Sequence, residues 1–472
     1  MSAPGDRPRR TLAVVGGGIT GLAAAWEASG HPNVEVVVLE SAPRLGGKIS
    51  TSALDLPTGP LVVDEGADAF LARVPDAVRL CEELDLHDEL TEPRTGRARV
   101  WVGGRLRWFP EPHVLGVPLD LDDLARTGIL SDEGLAVVAA EVERDDPPLG
   151  TDVAIGGFLA TRFGRELVDH VVGPLVGGIN AGDVDELSIR AVTPQLAEAA
   201  EDGGSLTVAL RRRRAAAPPS GPVFRGLRSG TEHLVETLAG ALRDKGVTIR
   251  TGVEVTELLA HHDGLEVRSR GGTVRAQGVV LATPAPVAAR LLRPLCGSAA
   301  AALGGIDHVP VSFVTLGFHR ADVRLPLDAS GFLVPRDAGL LLTAVSWGSA
   351  KWAHWDDGHH VILRAAAGHR HDRRPDLLDD GELVEALRED LRTTMGIAAA
   401  PVAARVTRWS PGFAQYTVGH LDRVAAIAEA VAREVPALRL AGADLGGLGL
   451  PACIRQGRDA ARDLLRRRAP GS

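Results

Sequence analysis

A β-favouring run at residues 11–15 passes straight into Gly16-Gly17-Gly18-Ile19-Thr20-Gly21, a fit to G-x-G-x-x-G, and no other stretch restricts the fold as tightly. The pattern predicts a helix over residues 19–29 and a second strand over 34–39, which ends on Glu40. Glu40 follows Gly21 by about 20 residues. Strand, glycine turn, helix, strand and acid, in that order, make a dinucleotide-binding unit. Gly16 permits the tight turn, Gly18 lets backbone approach a pyrophosphate, and Gly21 lets helix and strand pack closely. The start of that helix, at Ile19 and Thr20, presents N–H groups and partial positive charge to phosphate. Glu40 stands where an acid bonds ribose hydroxyls.

The next loop, Glu40-Ser-Ala-Pro-Arg44-Leu-Gly46-Gly47-Lys48, chooses between nicotinamide and flavin. An Arg and a glycine pair this soon after the ribose acid resemble the flavin oxidoreductases that carry a glycine doublet. The resemblance implies FAD, its diphosphate embraced by this loop. The residues suit that: glycine allows close approach, and Arg forks onto phosphate oxygens. In that superfamily Gly66 and Ala67 bring backbone near the flavin ring. Their neighbours Asp64 and Glu65 can serve as acid and base, but loop carboxylates are usually solvated, and a solvated pair is expected. Towards the C-terminus a strand at 438–440 ends in a glycine turn. Gly446-Gly447-Leu448-Gly449-Leu450-Pro451 then opens a last helix. In the same superfamily this closing unit holds the ribitol and the pyrimidine edge of the flavin.

At 472 residues the chain is too long for one core, and two or three domains are expected. A hydrophobic fraction of 45% with 24% charged residues suits a soluble globular protein. The net charge of −9 offers nothing to nucleic acid. The four arginines at 211–214 read as a solvated face, not as an anion site. Cys81, Cys296 and Cys453 are scattered and form neither a metal spacing nor a disulfide framework, as in a reducing cytoplasm. Residues 1–10 are polar with no apolar core of a signal peptide, and no stretch reaches the ~18 apolar residues of a membrane span. Peripheral membrane contact stays open, as does the choice between monomer and homodimer.

The fold expected is α/β: a Rossmann-like FAD-binding domain built from discontinuous segments, with a mixed-sheet substrate domain and a helical insertion. Residues 1–70, 224–300 and 436–472 form the first, 71–87, 191–223 and 301–435 the second, and 88–190 the third. A hairpin is predicted around Gly103-Gly104, helices through most of 121–172, and one strand pattern over 332–347.

Taken together, the chain resembles the porphyrinogen oxidase family, from residue 11 to 465. Gly178-Ile-Asn-Ala-Gly182-Asp183 resembles its glycine-rich segment beside the substrate, with Asn180 where an aromatic is usual. Leu342-Thr-Ala-Val-Ser-Trp347 followed by Lys351-Trp352 resembles its Thr-Trp…Lys-Trp strand end. Trp409-Ser-Pro-Gly-Phe-Ala-Gln415-Tyr416 with Gly419-His420 resembles its Trp…Pro-Gln-Tyr…Gly-His stretch. Residues 103–118 resemble a loop that in some members carries a carboxylate-binding Arg, where this chain has His113 and Val114. The resemblance assigns FAD contacts to Gly16, Gly18, Ile19, Thr20, Gly21, Glu40, Arg44, Gly46, Gly47, Lys48, Gly66, Ala67, Val255, Trp409, Leu448, Gly449 and Leu450. It assigns substrate contacts to Gly178, Gly182 and Trp347.

The reaction implied is the six-electron oxidation of a porphyrinogen in three rounds, by hydride transfer from a meso carbon to flavin N5, with molecular oxygen as acceptor and peroxide released. No metal is implied, and no acid–base pair is assigned. A pocket for such a ligand should be large and mostly apolar, with a few cations for propionates. Coproporphyrinogen III is preferred over protoporphyrinogen. An amine oxidase is the rival enzyme, but its usual lysine is missing from residues 309–319. A carotenoid-type desaturase, a flavoprotein holding FAD structurally and a non-catalytic scaffold complete the alternatives. A protein purified yellow whose spectrum bleaches on anaerobic coproporphyrinogen excludes the scaffold.

Overall fold

Arg10–Val15 is the middle strand of a parallel sheet assembled from the two ends of the chain and a piece of its centre. The computed structural model describes residues 9–216 and 221–466. Most of the polar leader 1–10, part of the segment after the arginine run, and residues 467–472 lie outside the described residues. Among those described, the sheet runs Thr248–Arg250, Val34–Leu39, Arg10–Val15, Gly278–Leu281, Leu438–Leu440, every pair parallel. Both faces are covered, so its strands are continuous apolar runs such as VVVL and GVVL. On one face the helix Ile19–Ser29 packs against the closing helix Leu450–Arg466. Small residues let them touch at backbone distance: a Cβ on Gly457 would collide with the Thr20 carbonyl. On the other face lie a meander, Val255–His261, Gly264–Ser269 and Gly272–Ala276, and the helices Ala285–Leu292 and Gly297–Gly304. The Ala-rich helix Gly297–Gly304 lacks contrast between its faces, whereas Ala285–Leu292 carries Pro286 in its first turn and an apolar face at Ala285, Ala288, Ala289 and Leu292 that sequence reading passed over.

A larger mixed sheet stands beside this one. Its order is Ala403–Ala414, His308–His319, His360–Ala367, Leu342–Trp347, Gly331–Leu333, Arg99–Val102, Arg105–Trp108. The expected strand over 332–347 is two strands, because a turn at Arg336–Ala338 with left-handed Gly339 interrupts it. The Gly103-Gly104 hairpin forms as expected, both glycines at positive φ. It does not stay with the helices: Arg99–Val102 pairs in parallel with Gly331–Leu333 and joins the large sheet. Conversely, the helical core built on Leu124, Leu159, Phe163 and Val171 runs on to Leu210 instead of stopping at residue 190. Burial of apolar faces, not chain order, sets that boundary. No helix among the described residues is long and apolar enough to cross a membrane.

Candidate functional site

The opening turn is held open at its centre. Gly16 adopts φ +108°, and a Cβ there would strike the Ala282 carbonyl on the adjoining strand. A Cβ on Gly21 would strike the Gly16 carbonyl. A Cβ on Gly18 would meet nothing, and no side chain caps the helix that Gly18 begins. The first N–H groups of a helix therefore face an open space with no side chain closing it. Ile19 and Thr20 are themselves buried and offer backbone. Glu40 sits at the rim, its Oε2 accepting the Gly17 amide at 2.5 Å and its Oε1 the Ala42 amide at 2.7 Å.

Gly46 and Gly47 are both at positive φ, and the Gly46 amide donates to the Gly17 carbonyl at 2.9 Å. The two glycine turns are thus joined directly. Arg44 does something other than the phosphate fork expected of it. Its guanidinium donates to the carbonyls of Leu45, Gly47 and Ile49 and lies 3.7 Å from Glu232. In this structure it fastens the loop.

Lys48 crosses from that loop to the far side of the site, donating to the Gly412 carbonyl. Burial lowers the pKa of its ammonium, against the pull of Asp444 and Cys453 nearby. Asp444, which follows the last strand, accepts the Ala285 amide at 2.6 Å and faces His308 Nε2 at 2.9 Å. Burial favours its neutral form, yet these partners and Lys48 hold its carboxyl below the usual range. Tyr416 donates to the Ala443 carbonyl, accepts the Gly447 amide at 2.9 Å and stacks on His420 at 4.0 Å. His420 in turn meets the Leu445 carbonyl, a structural bond. The closing turn is so positioned that Leu448 and Gly449 lead into a helix beginning at Leu450.

Trp409 makes the wall between these turns and the large sheet. A Cβ on Gly66 would collide with its indole, which explains the glycine. Phe313 lies edge-on to Trp409 at 5.1 Å, Phe413 tilts at 5.8 Å, and Ala181, Val309 and Val311 complete the cluster. Arg364 supports it from behind, over the Phe313 ring at 5.7 Å and bonded to the Gly66 carbonyl at 2.5 Å. Its counter-ion is Asp68, which also binds Lys351 and Trp352 Nε1, each at 2.9 Å. Burial alone would raise the Asp68 pKa, but the two cations outweigh it and hold the carboxyl ionised. Asp64 is not solvated as expected. It is 2% exposed and accepts from Thr51 Oγ1, Thr231 N and Thr231 Oγ1. Those bonds make it a brace for the turn, while burial raises its pKa. Ala67 accepts the Thr231 hydroxyl, and Val255 is buried against the sheet next to Leu39 and Val15.

Of the three expected substrate contacts, Trp347 is corrected. Its ring is 0% exposed in the core of the large sheet, edge-on to Phe332 at 6.3 Å. Its complete burial leaves no face of the ring for a ligand. Gly178 is exposed with open space at its Cα, whereas Gly182 is buried against Gln415 and Leu187. Asn180 is buried too, donating to the Val176 carbonyl. His113 packs edge-on to Phe109, and burial pushes its pKa down to about 4, aided by Arg214. Two cavities, of about 460 and 540 Å³, flank the turn at Pro335, one beside the hairpin and one beside residues 369–374. The basic residues of the second, and Phe313, Phe413 and Asp444, escaped sequence reasoning. Only Asp444 left a signal, as an acid just past the end of the parallel strand Leu438–Leu440 at the edge of the sheet.

The flavin-containing amine oxidoreductase family model matches residues 19–465. The coproporphyrinogen III oxidase of Bacillus subtilis (strain 168) is 32% identical over 97% of this chain and 98% of that protein. Its counterpart in Propionibacterium freudenreichii is 34% identical over 98% of this chain and 92% of that protein. A solved structure described as a candidate protoporphyrinogen oxidase from Exiguobacterium sp. 255-15 is 30% identical. It superposes with a TM-score of 0.87, covering 98% of this chain and 100% of that one.

Proposed function

The chain belongs to the flavin-containing amine oxidoreductase family, and from that premise we propose that it is a FAD-dependent porphyrinogen oxidase acting on coproporphyrinogen III in haem biosynthesis. The observation that carries this reading is near end-to-end likeness to coproporphyrinogen III oxidases in a chain whose two glycine turns meet beside one aromatic wall. Bound FAD supplies the two-electron acceptor.

The residues suit that group. The uncapped helix start and the open space at Gly18 accept a diphosphate, and Glu40 is at hand for ribose hydroxyls. The Lys48 ammonium and the start of the closing helix put positive charge on the opposite side. Trp409, Phe313 and Phe413 exclude water and offer an apolar aromatic surface to a macrocycle. Among the described residues no titratable pair lies against this wall in the manner of a general acid and base, so the chain's part is positioning and exclusion. Oxygen is the acceptor in this reading, and the setting is cytoplasmic. The strand His308–His319 has no lysine, which weighs against amine oxidation.

The test is side-by-side aerobic turnover of coproporphyrinogen III and protoporphyrinogen IX, followed by porphyrin fluorescence. Coproporphyrinogen is expected to be preferred. Turnover of neither refutes the assignment.

A further inference from the structure

The cavity of about 540 Å³ beside residues 369–374 has a divided lining. Val334, Leu340 and Leu342 supply an apolar floor. Arg336, Arg373 and Arg374 stand around it with His369 and His371, against one carboxylate in the lining, Asp372. The remaining acids lie behind the cations and aim them. Asp183 takes Arg336 at 2.8 Å and His371 at 2.9 Å. Asp376 takes Arg373 through Nε. Asp372 grips Arg374 at 2.6–3.0 Å, and the Leu340 carbonyl holds that guanidinium from the other edge. Each cation therefore has its stem and one edge fixed. The Arg373 and Arg374 side chains remain 60% and 55% exposed, with further N–H groups to offer.

The cavity adjoins the site already described. Arg336 donates to the Gly182 carbonyl, and the Arg370 amide to that of Ala181 at 2.9 Å. Ala181 packs into the Trp409 cluster. One contact thus separates the basic cavity from the aromatic wall. Guanidinium groups arranged over an apolar floor suit a ligand that joins a hydrophobic ring to carboxylates.

We propose that this cavity seats ring propionates of the tetrapyrrole, and that Arg373 and Arg374 set the preference for a four-carboxylate over a two-carboxylate porphyrinogen. The inference rests on the porphyrinogen reading. A substrate with two propionates has fewer groups to place here, so losing the arginines costs it less.

The experiment uses the FAD-loaded full chain and two variants, Arg373→Gln and Arg373→Gln/Arg374→Gln, with Arg374→Lys as a charge-retaining control. It reads kcat/KM on both porphyrinogens and the fluorescence-detected Kd of the stable product, coproporphyrin III. Absorbance at flavin wavelengths checks that the cofactor is retained. The double variant is expected to lose about tenfold or more on coproporphyrinogen and in coproporphyrin binding, and much less on protoporphyrinogen. Arg373→Gln should show the same bias to a smaller degree, and Arg374→Lys should recover part of it. Equal losses on both substrates, or unchanged coproporphyrin binding with flavin retained, overturn the proposal. A wild-type enzyme that oxidises neither porphyrinogen instead defeats the functional reading and this inference with it. Should the double variant fail to fold, Arg373→Gln decides, because among the described residues Arg373 engages only Asp376.

Discussion

The nucleotide clasp and the basic cavity are built in opposite ways. The clasp is backbone: amide and carbonyl groups exposed by glycines, with Glu40 and Lys48 as its few side chains. The cavity is side chain: basic residues from two stretches, aimed by Asp183 from a third and by Asp372 and Asp376 from within the second. Backbone geometry tolerates no added atom, whereas an ion-pair array can lose one member and keep its shape. Damage to the clasp should therefore cost the cofactor, and damage beside the cavity should change which substrate is preferred.

The largest effect should come from Gly457→Val. Its side chain must enter the space of the Thr20 carbonyl, so the two helices separate; thermal unfolding and flavin content should both collapse. Next comes Asp68→Asn, which leaves Lys351 and Arg364 without their carboxylate under the aromatic wall. A loss of about 3–5 kcal/mol in chemical denaturation is expected. The pH dependence sharpens this. The folded carboxyl titrates below its unfolded value near 3.9, so its stabilisation is present above that pH and fades as pH falls through the folded pKa. Glu40→Ala should follow, weakening FAD retention by roughly 1.5–3 kcal/mol, measured by flavin titration of the apoprotein. Unchanged occupancy would remove Glu40 from the ribose.

His113 provides a smaller effect on the substrate side. Its folded pKa of about 4 lies below the unfolded value near 6.5, so the unfolded chain takes up a proton that the folded chain refuses. Stability should therefore drop as pH falls from about 6.5 to 4, and His113→Asn should flatten that slope. Smallest of all, Trp347→Phe should alter kcat/KM on either porphyrinogen by less than about threefold while lowering thermal stability, since a core ring is trimmed.

The clasp was legible because its determinants are local. Gly16, Gly21 and the doublet Gly46-Gly47 each express a requirement of their own backbone, and the strand and helix between them carry their own period. Trp409 was legible only through family resemblance; its partner Gly66 shows the steric reason. Trp347 misled because a conspicuous aromatic at a strand end looks the same in sequence whether it faces ligand or core. Charge alone likewise did not show that the Arg44 guanidinium is held by the carbonyls of its own loop. The basic residues at 336 and within 369–374 were invisible, each an ordinary Arg or His in a loop.

The amino-acid order alone determined that this chain clasps a dinucleotide, since a tight turn without Cβ atoms is a property of adjacent residues. Which side chains face the second cavity, and that Asp64 braces a buried turn while Asp68 anchors two cations, was decided only when segments hundreds of positions apart packed together. The reason is range: steric limits on φ and ψ act within a few bonds, whereas burial and charge pairing depend on neighbours that only the folded chain supplies.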